Sequence, residues 1–193
     1  MQRAVLSVPR QRMATLARCQ NPQMKNFKLR PAEPRDLQAI CGLIAELADF
    51  EHLSHMVQGT PQSLGPHLFG ERPVAEAVVV DLTDQPGTPA VGFALFFTNF
   101  STFLAKPGLY LEDLYVQPAC RGAGIGKALL KHLGALAVAR NYGRFEWSVL
   151  DWNTNAIRFY EKMGATVMTE WQICRVTGAQ LQAFAAPSEP LAG

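Results

Sequence analysis

No apolar run in this sequence is longer than a strand, so nothing in it reads as a transmembrane segment. Cys19, Cys41, Cys120 and Cys174 include no C-x-x-C pair, so neither a zinc knuckle nor a disulfide framework is expected, and a reducing compartment fits. His52, His55, His67 and His132 supply no H-E-x-x-H, and no metal is expected. Acidic residues are absent from positions 1–25, where Arg3, Arg10, Arg12, Arg18 and Lys25 give +5 and leave −3 on the rest of a chain whose total is +2. That leader fits an organelle-targeting peptide, a disordered tail or an upstream start with Met13 or Met24 as later candidates; it has no secretory signal core. With its positive charge confined there, nucleic-acid binding has little support, and a mildly acidic remainder suits a cationic partner.

What is present fits one ordinary domain: 193 residues, 48% hydrophobic and 18% charged, enough to bury a substantial core. Phe27 to Arg30 reads as a strand. Leu37, Ile40, Cys41, Ile44 and Leu47 recur at helical spacing, which predicts a helix beginning near Pro34. Thr60-Pro61 resembles an N-cap opening a second helix toward Phe69. Val74 to Leu82 and Val91 to Thr98, separated by the turn-rich Thr83 to Gly87, predict an antiparallel hairpin. Further strands are expected at Leu109 to Val116, Phe145 to Leu150 and Val167 to Val176, with helices after Gly124, from Asn153 to Met163 and after Thr177. The order is that of a mixed-sheet α/β fold. A domain over 27–185 is expected between a leader at 1–26 and a tail at 186–193.

Arg121, Gly122, Ala123, Gly124, Ile125 and Gly126 link an acid-bearing strand to a helix, and Lys127 follows. Glycines permit positive φ and close backbone approach, and a helix start presents unpaired N–H groups, so the loop is suited to phosphate. Two other phosphate loops fail on spacing. A Walker loop needs glycine at 121 and Ser or Thr at 128, where Arg121 and Ala128 stand; a dinucleotide fingerprint needs G-x-G-x-x-G after a first strand.

The remaining pattern, R-x-x-G-x-G, resembles the acetyl-CoA signature of the GNAT N-acetyltransferase superfamily. Tyr110-Leu111-Glu112-Asp113-Leu114-Tyr115-Val116 upstream, and Leu150-Asp151-Trp152-Asn153 with Ala156 to Ala165 downstream, resemble the diamine (spermidine/spermine) and thialysine acetyltransferase branch. The likeness runs from about Phe27 to Phe184. It implies a GNAT fold: a mixed, mostly antiparallel sheet whose central parallel strands splay apart, flanked by helices. It also implies acetyl-CoA as co-substrate, a small primary amine as acceptor and a homodimer, and the reducing compartment read from the cysteines makes a cytoplasmic setting the expectation.

An amine with pKa near 10.4 is only about one part in 2,500 neutral at pH 7, roughly 4.6 kcal/mol from its nucleophilic form, so acetyl transfer calls for a base. Glu112 and Asp113 are adjacent carboxylates in an apolar strand, where they should face opposite sides unless a bulge intervenes. The resemblance makes Glu112 the base and Asp113 a contributor to acceptor binding. It makes Tyr160 the acid that protonates the departing thiolate, places Asn153 on the pantetheine arm as well as at a helix cap, and puts an oxyanion-binding N–H near Leu114, Tyr115 and Val116. Phe50-Glu51 stands where the branch carries an aromatic-acid pair, with Phe in place of the usual Tyr. The loop from Asn99 to Pro107 departs from the diamine pattern and holds Lys106, which leaves a thialysine-like acceptor at least as well supported as a polyamine. A protein or peptide acetyltransferase and a non-catalytic acyl-CoA sensor are the alternatives.

Overall fold

Strand-length runs rich in apolar and aromatic residues build a sheet whose strands, among the described residues, run in the order β1 (Phe27–Pro31), β2 (Glu76–Leu82), β3 (Gly92–Ser101), β4 (Lys106–Val116) and β5 (Phe145–Trp147). The computed structural model describes residues 26–185; the leader expected at 1–26, Asn26 apart, and the tail at 186–193 lie outside the described residues. The described residues form two compact units, divided between Ser148 and Val149.

In the first unit, β1 to β4 pair antiparallel and β5 joins β4 in parallel. Helix α1 (Leu37–Phe50) follows a 3-10 turn at Pro34–Asp36, and α2 (Pro61–Phe69) opens at the expected cap, where Thr60 Oγ1 accepts from the Ser63 N–H at 3.2 Å. Helix α3 (Ile125–Ala139) packs on β4 and β3. Side chains alternate across these strands. Phe93, Leu95 and Tyr115 on one face bury against Ile40, Leu43 and Leu68, while Phe96, Leu109 and Leu111 on the other are equally buried. Arg30 fastens the sheet edge to the start of α1, its Nη1 donating to Asp36 and its Nε to Asp81, both at 2.6 Å. The Arg30 guanidinium holds the buried Asp36 carboxyl below the usual range.

The parallel pair is short. It registers Leu109 with Phe145, Tyr110 with Glu146 and Leu111 with Trp147, then stops. Among the described residues no strand pairs with Glu112 to Val116 on that side, which is the parting expected of the central strands.

The second unit contains α4 (Thr154–Lys162), capped by the Asn153 side chain accepting from the Ala156 N–H at 3.3 Å, and α5 (Gly178–Phe184) after Thr177. The strand expected from Val167 to Val176 is not formed. Strand propensity needs a partner ladder, and none is present among the described residues; Met168, Trp171 and Ile173 are exposed by more than half.

Candidate active site

The site begins with a fault in strand register. Leu95 of β3 stands opposite Asp113, but the next residue, Phe96, stands opposite Leu111, so Glu112 is the extra residue of a β-bulge. Asp113 thereby shares a face with Tyr110 and Tyr115, the face on which α1 packs. A signal for this lies in the sequence: the apolar set Leu109, Leu111 resumes at Leu114, Val116, one residue out of phase.

The bulge puts Asp113 on the α1 face, where it feels the charge of Glu51 as well as that of Glu112. Glu112 is exposed, and Asp113 is less so. Glu51 sits at the C-terminal end of α1. Burial pushes the Asp113 carboxyl up to about 6, and the charges of Glu112 and Glu51 add to the rise. Burial also raises Glu51. A part-buried carboxyl that also feels the charges of two other carboxylates marks a place for a cation.

Beyond β4, a 3-10 turn at Pro118–Cys120 delivers the glycine loop. Gly122 and Gly124 have φ of +80° and +84°, the left-handed region that a side chain resists. Among the described residues no acceptor meets the backbone N–H groups of Gly122 to Lys127; the first loop bond is from Ala128 to the Gly124 carbonyl, at 2.9 Å. These free donors, together with the positive end of the α3 dipole, fit a pyrophosphate.

Arg121 is engaged differently. Its backbone N–H donates to the Pro118 carbonyl at 3.2 Å and its Nε to the Val116 carbonyl at 2.9 Å, while the guanidinium lies 5.1 Å from the Phe50 ring centroid and 5.4 Å from that of Tyr115. Four residues earlier on each segment, Gln117 Nε2 donates to Glu46 Oε1 at 3.0 Å. Burial and the Glu46 carboxylate raise the Tyr115 phenol, and Arg121 opposes them. Glu46 escaped the sequence reading, although it lies one helical turn before Phe50 and so on the same face.

Phe50, Glu51, Glu112, Asp113, Leu114, Tyr115, Val116 and the loop from Arg121 to Lys127 all belong to the first unit. Asn153 and Tyr160 belong to the second, where Tyr160 is part-buried on α4 with its ring 5.5 Å from that of Phe159.

A strand that parts from its parallel neighbour beside a glycine loop of free N–H donors fits the arrangement that the sequence resemblance implies, and residues 47–165 match the Acetyltransferase (GNAT) family. The chain belongs to that family and is an N-acetyltransferase. It is 36% identical over 198 residues to an L-ornithine N5-acetyltransferase of Arabidopsis thaliana, covering 81% of this chain and 87% of that one. It is 34% identical over 169 residues to a thialysine N-epsilon-acetyltransferase of Mus musculus, covering 84% and 99%. A solved integron cassette protein of V. cholerae superposes with a TM-score of 0.69 at 25% identity, covering 84% of this chain and 99% of that one.

Proposed function

We propose that the protein acetylates a primary amine of a small cationic molecule, with acetyl-CoA as donor. The observation that carries this reading is the gathering of Glu51, Glu112 and Asp113 by the bulge: three carboxylates attract an ammonium and supply an acceptor for its proton. The named activities of the relatives, on ornithine and on thialysine, support an amino acid bearing a terminal amine over a polyamine. Glu112, the exposed member, takes the proton from the amine, directly or through water, and the neutral amine attacks the thioester carbonyl.

The N–H groups of Gly122 to Lys127 would hold the pyrophosphate, and the β4 edge from Leu114 to Val116 would pair with pantetheine and offer an N–H to the developing oxyanion. Asn153 and Tyr160 are assigned on the motif alone, Asn153 to the pantetheine arm and Tyr160 as proton donor to the departing thiolate. A homodimer in the cytoplasm belongs to the same reading.

Turnover on L-ornithine and thialysine compared with a lysine-containing peptide tests the acceptor class. Preference for the small amines is expected. Preference for the peptide would replace this reading with protein acetylation.

A further inference from the structure

Arg121 sits at the first position of the phosphate-loop signature, yet its guanidinium is engaged by Phe50 at the end of α1. The guanidinium lies against the rings of Phe50 and Tyr115 while its Nε is fixed on the Val116 carbonyl. Both ends of this contact adjoin the acidic cluster: Phe50 precedes Glu51, and Tyr115 lies two residues beyond Asp113 on the same face of β4. Glu46 and Gln117 make a second tie one helical turn away, so α1 and the segment after β4 are joined at two points.

We propose that Arg121 is a positioning residue for the acceptor amine, holding the end of α1 so that Glu51 stands close to Asp113. This deepens the acetyl-transfer reading and rests on it for the identity of the acceptor. A planar guanidinium is needed, because it must present a face to aromatic rings while its Nε donates in the plane; a lysine cannot do both. Glu112 on the same strand and Glu51, just past the last residue of α1, are the charged groups felt by Asp113. If Arg121 releases α1, Glu51 withdraws and water enters, and both changes lower the proton affinity of Asp113. Loss of the arginine charge acting alone would raise it, so the sign separates positioning from simple electrostatics.

The test is a carbon-13 NMR titration of the Asp113 carboxyl in wild type, Arg121→Gln, Arg121→Lys and Phe50→Leu, with KM for L-ornithine and for acetyl-CoA measured on the same proteins. Arg121→Gln is expected to lower the Asp113 midpoint by roughly one pH unit and raise the L-ornithine KM roughly tenfold, the scale of an exposed cation–π contact together with its hydrogen bond. Arg121→Lys should fail to restore either value. Phe50→Leu, which leaves the loop and its charge intact, should move the midpoint the same way by less. An unchanged or raised midpoint in Arg121→Gln, with only the acetyl-CoA KM affected, would overturn the proposal and leave Arg121 a phosphate ligand. The titration needs no turnover, so a wild type that acetylates nothing would sink the acetyl-transfer reading while the positioning contact is still decided.

Discussion

Glu51, at the end of α1, and Asp113, on β4, are two carboxylates far apart in sequence, and burial, followed by the charges of Glu112 and Glu51, holds Asp113 protonated up to about pH 6. A carboxyl whose folded pKa exceeds its unfolded value of about 3.8 contributes stability that is full below about pH 3.8 and lost as pH rises through about 6. Asp113→Asn mimics the protonated form. It should leave the melting temperature nearly unchanged at pH 4 and raise it by a few degrees at pH 8, on the order of 1–3 kcal/mol. Scanning calorimetry at the two pH values checks this; a fall in Tm at pH 8 would count against the repulsion.

Proton removal from the amine and proton delivery to the thiolate are unequal tasks. A thiol with pKa near 8.5 leaves readily at neutral pH, whereas an amine near 10.4 must lose a proton first. Glu112→Gln should therefore lower kcat by about 10²- to 10⁴-fold, and Tyr160→Phe by about tenfold. Steady-state kinetics at saturating acetyl-CoA give the comparison, and equal losses would contradict the assigned roles.

Gly124→Ala puts a Cβ on a residue at φ +84°, where no neighbour lies within 4 Å of it but the left-handed backbone resists it. A strain of about 1–2 kcal/mol in the loop should raise the acetyl-CoA KM by about tenfold. The amine KM should stay near the wild-type value. An amine KM that rose instead would place the loop's role elsewhere.

Asp36 is the counterpart case, a carboxyl held low by Arg30. Its stabilisation is present above about pH 3.8 and is lost as pH falls through the depressed folded value. Asp36→Asn leaves a mostly buried arginine with one carboxylate, Asp81, and should lower stability by about 3 kcal/mol at pH 7. Urea unfolding measures it; a loss under about 0.5 kcal/mol would mean the pair behaves as a surface bridge.

The parts of the fold that local chemistry dictates were legible in the sequence: the Thr60-Pro61 cap of α2, the Gly124 start of α3, the Asn153 cap of α4 and the helix after Thr177. Register was harder, because the bulge at Glu112 exists only relative to Leu95 and Phe96 on another strand, although the slip from Leu111 to Leu114 marks it. The Arg121 contact with Phe50 joins residues that no local pattern relates. At Val167 to Val176 strand propensity misled, since propensity gives no ladder to pair with.

The most direct test is CoA thiol release by the purified protein with acetyl-CoA and a panel of thialysine, L-ornithine, L-lysine, diamines and spermidine, run beside Glu112→Gln. The account predicts amine-dependent release, fastest on an amino acid with a terminal amine and nearly abolished in the variant. Tight acetyl-CoA binding with no release on any amine, or release unaffected by Glu112→Gln, would contradict it.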